Sequence, residues 1–284
     1  MQPQCNICGN RGKFLNPHLG KEGWHCANCS ATSRHRLVMF ILGRTLGLND
    51  QPVYAWPTMK QIKILEPCPR GPQVVFLREK FDYFEPEFDA EKIRKNAEPR
   101  KYSDIQDLAF ADESFDIVIA SDVFEHVRED DKGFREIYRT LKNGGTFILT
   151  SPYDHKRAQT LIRVAVKGED DIYLQDPTYA GGGGATLNYR VYGRDLLGKL
   201  NAVGFAVGYL ETAIKRFKIH KYGIVICKKS PYLELTKYLS KENSDAASSV
   251  PLGFLLPNRL FLLYKFNLKS FLQFLREAKR KILK

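Results

Sequence analysis

Short apolar segments alternate with longer amphipathic ones between Gln61 and Lys229. Most of the short segments are rich in β-branched, leucine or aromatic residues and are bounded by polar, proline or glycine positions, which predicts β-strands. In chain order they are IKILE, DYFE, KYSD, FDIVIAS, GTFILTS, FAVGYLE and YGIVICK. The stretches between them have helical spacing, as in EDDKGFREIYRTLKNGG, where we expect Gly144 and Gly145 to end a helix.

Strands that are apolar on both faces and separated by helices predict an α/β fold. We expect a seven-stranded, mostly parallel sheet with helices on both faces. In such a sheet, ligands bind beyond the carboxyl ends of the strands. The residues that directly follow each strand are therefore the first candidates for a functional site.

Four of the six cysteines form two C-x-x-C pairs, Cys5–Cys8 and Cys26–Cys29, with seventeen residues between the pairs. Two such pairs can surround one tetrahedral zinc ion with four thiolates, and a site whose four ligands all come from the protein is structural. Disulfides are the alternative, which an intracellular setting disfavours. The sequence therefore predicts a zinc ribbon over residues 1–30.

A helix is predicted directly after the cysteines, in SATSRHRLVMFILGRTLGL, with Ser33 as its N-cap. Its first turn carries Arg34, His35 and Arg36. These three residues either are solvated and pack on the ribbon, or form an anion-facing patch beside the active site. We assign residues 31–60 to a helical connector.

The positive charge of the chain is concentrated near its C-terminus. Residues 251–284 hold eight Lys/Arg and one acid, a balance of 8 − 1 = +7. The preceding residues hold 44 − 8 = 36 basic and 32 − 1 = 31 acidic side chains, a balance of +5. The body of the chain is thus close to neutral, which makes nucleic acid the less favoured partner.

The polar segment ENSDAASS predicts a linker within residues 231–284, ahead of the basic tail. Basic residues beside an apolar helical face are typical of a helix on an anionic membrane surface. The apolar residues of that face are Leu268, Phe271, Leu272, Leu275 and Ile282. A helix docked on the body of the protein, a dimer contact and nucleic-acid binding are the alternatives.

The sequence shows no segment that would cross a membrane or direct secretion. No apolar run approaches the roughly 20 residues that span a bilayer, and the first residues, MQPQCNICGN, lack the apolar core of a signal peptide. We therefore expect a cytoplasmic protein, attached peripherally to the inner face of the membrane if the tail binds lipid.

The segment DIQDLAFADESFDIVIASDVFEHV and the following GFREIYRTLKNGGTFILTSP resemble the later motifs of class I S-adenosylmethionine-dependent methyltransferases of the type 11-like group. In that family an acidic residue precedes a leucine-x-phenylalanine turn. A serine-phenylalanine-aspartate then leads into the fourth strand, and a helix precedes the fifth. The resemblance implies a Rossmann-like domain that binds S-adenosylmethionine over residues 61–230, with the zinc ribbon as an added module.

The resemblance also implies individual cofactor contacts. Glu66 matches the acid near the methionine end of the cofactor. Glu85 matches the acid that binds both ribose hydroxyls, with Asp82 as its rival, and Asp104 matches the acid that accepts from the adenine amino group. Ile105 is expected beside the adenine ring, Ser121 at the end of the fourth strand, and Gly71 in the first loop.

The loop after the first strand departs from the family pattern, which is glycine-rich. Pro67, Pro69 and Pro72 have no amide hydrogen to donate, and only Gly71 keeps a permissive backbone. Because S-adenosylmethionine has no phosphate, it does not require a cradle of loop amides. We expect the cofactor to bind, with an altered placement of its methionine end.

Methyl transfer requires an aligned acceptor, and a hydroxyl acceptor also requires a base. The candidates follow the fourth and fifth strands: His126 in FEHV, and Asp154 and His155 in SPYDHKR. The alternatives are a packed or capping role for His126 and a solvated loop position for His155.

An insert at residues 152–192 follows the fifth strand and is expected to shape the acceptor site. Its four consecutive glycines, Gly181 to Gly184, predict a mobile lid. Aromatic and basic side chains around them would suit a sugar or an aromatic acceptor, and also a stacked nucleobase. These side chains are Tyr179, Tyr189, Arg190 and Tyr192.

Three functions are compatible with these patterns. The first is a methyltransferase that acts on a small-molecule, saccharide or lipid-linked acceptor. The second is an RNA methyltransferase that uses the ribbon, the RHR cluster and the tail to bind RNA. The third is a binding protein that keeps the fold without catalysis.

Overall fold

The computed structural model describes residues 2–16, 24–48, 50–180, 186–234 and 238, and the backbone of 252–256 and 259–263. Five helices are described: α1 (Ser33–Thr45), α2 (Gln73–Lys80), α3 (Ala90–Arg94), α4 (Asp130–Thr140) and α5 (Asp195–Val203). The strands are β1 (Phe14–Leu15), β2 (His25–Cys26), β3 (Met59–Leu65), β4 (Phe81–Phe84), β5 (Phe115–Ser121), β6 (Leu141–Thr150), β7 (Leu161–Ile162), β8 (Val164–Lys167), β9 (Asp170–Tyr173), β10 (Tyr179–Ala180), β11 (Thr186–Leu187), β12 (Arg190–Val191), β13 (Ala206–Ile214), β14 (Ile219–Lys228), β15 (Leu252–Leu256) and β16 (Arg259–Leu263).

Six strands form the central mixed sheet in the order β13-β14-β6-β5-β3-β4, and the hairpin β15–β16 extends its β13 edge. β3, β4, β5 and β6 pair in parallel. β14 is antiparallel to both β6 and β13, so β13 runs in the same direction as the parallel strands. The carboxyl ends of five of the six central strands therefore meet at one edge.

The expected seventh strand is not confirmed, because KYSD forms only isolated bridges at Tyr102 and Asp104. The amides of Lys101 and Tyr102 both donate to Glu98 O, which closes a turn. These amides therefore do not join a ladder with a neighbouring strand.

Two boundaries around the helices also differ from expectation. α4 ends at Thr140 and β6 begins at the next residue, so Gly144 and Gly145 lie inside a strand. Gly144 has φ +76, and its amide donates to Lys229 O where the ladder with β14 ends. The N-cap of α1 is Thr32 rather than Ser33, since the Thr32 hydroxyl accepts from the amide of His35.

Each face of the sheet carries its own apolar layer. One layer joins sheet residues such as Ile148 and Ile226 to Leu37 and Ile41 of α1 and to Cys5. The other contains α4, α5 and residues of the insert. The residues before α1 that carry the four patterned cysteines, described over 2–16 and 24–32, are called the cysteine segment. This segment and α1 thus cover one face of the sheet and share its core.

A buried arginine fixes this arrangement. The guanidinium of Arg36 donates to the carbonyls of Trp24 (2.7 Å) and Ala31 in the cysteine segment. It also donates to Phe217 O (2.9 Å) and Lys218 O (2.8 Å) between β13 and β14. Four carbonyls from two distant segments therefore meet one side chain that is 0% exposed.

No helix in the described ranges combines the length and the apolar character of a membrane span. The basic tail was expected to be separate from the sheet. Its first residues, 252–256, instead pair with β13. The five apolar residues of the predicted tail helix lie outside the described residues.

Candidate functional site

The chain leaves β3 for β4 on one side and then returns to β5 on the other side of β3. This reversal creates a crevice beyond the carboxyl ends of β3 and β5, the usual ligand site of an open α/β sheet. Two residues that follow these ends have left-handed backbones, Cys68 at φ +50 and Asp122 at φ +54. Such strained residues concentrate at functional sites.

Glu66 lies directly after β3 and is 1% exposed. The Tyr83 hydroxyl donates to its Oε2 at 2.7 Å, whereas its Oε1 has no hydrogen-bond donor among the described residues. Burial raises the pKa of Glu66 to about 7, against the hydrogen bond from Tyr83. The residue expected at the methionine end is thus a buried carboxyl that lies between the side chains of Tyr83 and Gln73.

The loop after β3, residues 67–72 and called the proline loop, brings α1 and α2 together beside Glu66. Gly71 has φ +122, and a Cβ there would collide with Gln73 Oε1 at the start of α2 and with the His35 ring on α1. The amide of Cys68, in the same loop, donates to Pro86 O at 2.9 Å. Glycine is therefore required at residue 71 both by backbone conformation and by the close approach of α1.

The two other expected acids lie beyond β4 on the same side. Glu85 accepts two hydrogen bonds from Arg78 of α2, at 2.6 and 2.8 Å, and its side chain is 29% exposed. Asp82 lies within β4 opposite Lys63, away from the strand end. This position makes Glu85 the better placed of the two for a ligand beyond the strand.

The expected adenine contacts occupy a tight turn. Asp104 accepts from the amide of Gln106 at 2.9 Å and from its side-chain nitrogen at 2.9 and 3.0 Å. Ile105 is 7% exposed and belongs to the apolar layer beside α4. The turn is thus held by its own side chains.

The first turn of α1 reaches the end of β5. Arg34 donates to Ser121 Oγ at 2.9 Å and to Ser121 O at 3.3 Å, and its Nε lies 3.2 Å from Asp122 Oδ2. Thr150, which ends β6, donates to the other oxygen of Asp122 at 2.9 Å. Of the RHR cluster, Arg34 reaches the end of β5, His35 caps its own helix through Nδ1 and lies against Gly71, and Arg36 is buried.

The three candidate bases lie after β5 and β6. His126 Nδ1 is 2.9 Å from Leu187 O, and its Nε2 is 3.9 Å from Glu125 Oε1. Asp154 accepts from the amide of Lys156 and pairs with Arg157. His155 Nδ1 lies 3.9 Å from Glu211 of β13.

Glu125 was not identified from the sequence, although it precedes His126 in FEHV. Its side chain accepts from Ser151 Oγ at 2.8 Å and is 4% exposed. Burial raises its pKa above the ordinary range, and the charge of Asp122 adds to the effect. Its burial and its contact with Ser151, which follows β6, distinguish Glu125 from an ordinary loop carboxylate, and neither is visible in the local sequence.

The expected mouth of the insert is largely interior. Tyr192 and Arg190 are 0% and 5% exposed, and Arg190 donates to Phe124 O and Val127 O. Tyr189 is buried against Asp171, which accepts from its hydroxyl. Arg190, together with Tyr192, whose hydroxyl donates to Phe124 O, therefore holds the insert on the turn after β5. Tyr189 contacts β9 within the insert, and Tyr179 is exposed. The glycines Gly181 to Gly184 lie outside the described residues.

The four patterned cysteines converge. Their sulfur atoms all lie within 4.8 Å of one another, with Cys5–Cys29 and Cys8–Cys26 both at 3.7 Å. These separations far exceed a disulfide bond of about 2 Å. The cluster is thus a set of four free thiols that could hold one metal ion.

A comparison with protein families matches residues 80–149 to the family described as a methyltransferase domain. The matched span supports a class I methyltransferase architecture around β4, β5 and β6. A comparison with curated proteins gives no match.

Several solved structures are similar at low identity. A methyltransferase from Mesorhizobium loti that depends on S-adenosylmethionine is 17% identical over 61% of this chain and 93% of its own, with a TM-score of 0.38. The 1,6-didemethyltoxoflavin-N1-methyltransferase of Burkholderia thailandensis is 14% identical over 70% and 78%, with a TM-score of 0.39. An S-adenosylmethionine-dependent methyltransferase from Methanosarcina mazei is 17% identical over 64% and 96%, with a TM-score of 0.39.

The raised pKa of Glu66 predicts a pH dependence of stability. Because burial raises the pKa of this carboxyl from 4.5 to about 7, the folded protein keeps the proton up to a higher pH than the unfolded chain does. The unfolding free energy should therefore fall as pH rises from about 4.5 to 7. The neutral variant Glu66→Gln keeps an acceptor for Tyr83. In this variant the fall in unfolding free energy with pH should be smaller by about 3 kcal/mol.

Urea unfolding at pH 5 and pH 8 measures the effect. Glu136→Gln is the control, because Arg139 lowers the pKa of Glu136, so this carboxylate stays ionised from pH 5 to pH 8 and its replacement should leave the stability difference between the two pH values unchanged. Parallel profiles for the wild type and Glu66→Gln would contradict the prediction.

Proposed function

We propose that this protein is an S-adenosylmethionine-dependent methyltransferase that acts at a hydroxyl of a small-molecule, saccharide or lipid-linked acceptor. The observation that carries the proposal is the methyltransferase-domain match over residues 80–149. The matched span includes Glu85 and Asp104 and ends in β6, one residue before the end of that strand. Acids in these positions suit a cofactor with a cationic sulfur and two ribose hydroxyls.

The cofactor supplies an activated methyl group, and the residues of the chain align the acceptor and exclude water. Glu85 is proposed to bind the ribose, since a carboxylate accepts two hydrogen bonds at once. Asp104 and Ile105 are proposed to hold the adenine. Ser121 lies where cofactor and acceptor would meet.

The turn after β5 supports a base at His126. Because a carbonyl can only accept, the hydrogen bond to Leu187 O places the ring proton on Nδ1. Nε2 then carries the lone pair and can take a proton from an acceptor hydroxyl. In its ionised form Glu125, 3.9 Å from Nε2, would stabilise the resulting imidazolium, and the raised pKa of this buried carboxyl moves that form to higher pH. Asp154 and His155 remain proposed alternatives on the β6 side.

A structural zinc ion is proposed at Cys5, Cys8, Cys26 and Cys29. Four sulfurs at about 2.3 Å from a tetrahedral zinc lie about 3.8 Å apart. The two sulfur pairs at 3.7 Å fit this geometry.

Cofactor binding is tested by isothermal titration with S-adenosylmethionine and S-adenosylhomocysteine. We expect both to bind, and Glu85→Gln to weaken both by roughly 10- to 100-fold, the range of hydrogen bonds to a charged group. Glu91→Gln, which alters an exposed acid on α3, serves as the control and should leave the affinity unchanged. A wild-type protein that binds neither ligand would refute the proposed function.

Metal binding is tested by native mass spectrometry. We expect one zinc ion per chain, which Cys26→Ser should lose together with stability, because the cluster belongs to the core of the sheet. Cys68→Ser, outside the cluster, should keep the metal. Full metal content in Cys26→Ser would exclude the four-thiolate site.

Membrane attachment through residues 264–284 is proposed from their charge, seven basic residues minus one acid, or +6. The full chain should co-sediment with anionic liposomes, less so at high salt. A chain ending at Leu263, which keeps β15 and β16, should not. If both chains ignore liposomes and the full chain binds RNA with a steep salt dependence, the tail is a nucleic-acid segment.

A further inference from the structure

The connection between β13 and β14 and the start of β14 are strongly basic. Residues 215–221, called the KRFKIHK segment, contain four Lys/Arg, one His and no acid. We propose that this segment binds a phosphate group of the methyl acceptor, which makes the acceptor a saccharide carried on a phosphate or pyrophosphate. The proposal rests on the proposed function and specifies its acceptor class.

The segment lies at the edge of the sheet where methyl transfer is proposed. β13 runs in the same direction as the parallel strands, so it leads the chain to their carboxyl edge. Glu211 of β13 lies 3.9 Å from His155, a proposed alternative base after β6. The same carboxylate pairs with Lys221 at 2.7 Å. One acidic side chain therefore connects the basic segment to the acceptor side of the site.

A second connection runs through the start of α1. The amide of His220 donates to Ser33 Oγ at 3.4 Å. The next residue of the helix, Arg34, donates to Ser121 Oγ at the end of β5. The segment thus contacts elements that reach both β5 and the residues after β6. An anion bound to it belongs to a ligand beside the proposed reaction site.

Two cations of the segment have no acidic partner. Arg216 pairs with Asp50 at 2.6 Å, and Lys221 pairs with the acid of β13. Within the described residues, neither Lys215 nor Lys218 takes part in an ion pair. Lys215 is exposed and Lys218 is half-buried, so both ammonium groups can meet a ligand from solvent.

The cysteine segment does not neutralise this charge. Its described residues include Arg11 and Lys13 and no acid. Four thiolates around the proposed divalent zinc ion leave a charge of 2 − 4 = −2, which the buried Arg36 offsets in part. Burial lowers the pKa of His220, and the positive charges of Lys218 and Arg36 lower it further. The potential at the imidazole is therefore positive.

Trp24 of the cysteine segment orders these side chains. Its ring stacks on the imidazole of His220, with centroids 5.9 Å apart and planes at 19°. The ammonium of Lys218 lies 4.2 Å from the centre of the same ring. The backbone of Lys218 is left-handed, with φ +51, and Arg36 donates to its carbonyl at 2.8 Å. This order, present before a ligand arrives, reduces the entropic cost of binding.

The number of unpaired cations matches a small anion. A lysine ammonium binds phosphate as a point charge, and Lys215 and Lys218 supply two such charges. A DNA-binding protein commonly contacts roughly 6–10 phosphates. One phosphate or pyrophosphate group therefore fits the segment better than a nucleic acid does. The group can come from a nucleotide or from a lipid carrier.

Isothermal titration of the full chain with inorganic pyrophosphate tests the site. The double variant Lys215→Gln/Lys218→Gln should weaken pyrophosphate by roughly tenfold or more, because two contacts to a charged group are lost. Its affinity for S-adenosylhomocysteine should not change, which also reports that the variant is folded. The matched control is Lys95→Gln/Lys101→Gln, which removes the same charge from exposed lysines that pair with acids. This control should bind pyrophosphate as the wild type does.

Two results would overturn the inference and leave the proposed function in place. They are the absence of pyrophosphate binding, and equal pyrophosphate affinity in the wild type and in Lys215→Gln/Lys218→Gln. If the wild type binds pyrophosphate but neither S-adenosylmethionine nor S-adenosylhomocysteine, the proposed function fails. The acceptor role of the segment fails with it, although the anion site itself is then confirmed.

Further ligands identify the source of the phosphate. Tighter binding of UDP than of pyrophosphate would indicate a nucleotide-linked saccharide. Binding to phosphatidylcholine vesicles that contain a polyprenyl pyrophosphate would indicate a lipid-linked one. Either signal should weaken in Lys215→Gln/Lys218→Gln. If the double variant instead reduces the binding of an RNA with a steep salt dependence, and pyrophosphate does not bind, the segment is a nucleic-acid surface and the inference is wrong.

Discussion

The buried guanidinium of Arg36 is the interaction on which the arrangement of this molecule depends. A charge removed from water is tolerated only when hydrogen bonds replace its hydration, and here carbonyls of Trp24, Ala31, Phe217 and Lys218 do so. Two of these carbonyls belong to the cysteine segment and two to the connection between β13 and β14. Because one rigid group satisfies both segments, the axis and rotation of α1 are fixed against the sheet.

The hydrophobic pattern predicted six of the central strands because each of them contains apolar residues that the sheet buries or half-buries. It failed for KYSD, which has no apolar face to bury and whose amides close a turn at Glu98. The glycine pair after α4 was assigned to a helix end, a common position for glycine. The pair instead lies in an irregular part of β6, where the amide of Gly144 donates to Lys229 O. That partner is 229 − 144 = 85 residues away along the chain. No local pattern contains that information.

The strand-end acids could be located from the sequence because the carboxyl end of each strand is a local property. Glu66 and Glu85 follow their strands directly. The partnership of Arg34 with Asp122, and the burial of Glu125 against Ser151, depend on how distant elements pack. Polar and aromatic composition suggested an open mouth at Arg190 and Tyr192, yet both are interior residues that satisfy the turn after β5. Composition alone does not distinguish a ligand contact from a buried hydrogen-bond donor.

The contact between Arg36 and Phe217 spans 181 positions of the chain. During synthesis at about 5–20 residues per second, the partner carbonyls follow Arg36 by roughly 10–40 seconds. The four cysteines are synthesised long before that, so the cysteine segment waits for half of the carbonyls that Arg36 joins. If the four thiols bind the proposed metal ion, that ion can order the segment before the last strands of the sheet exist.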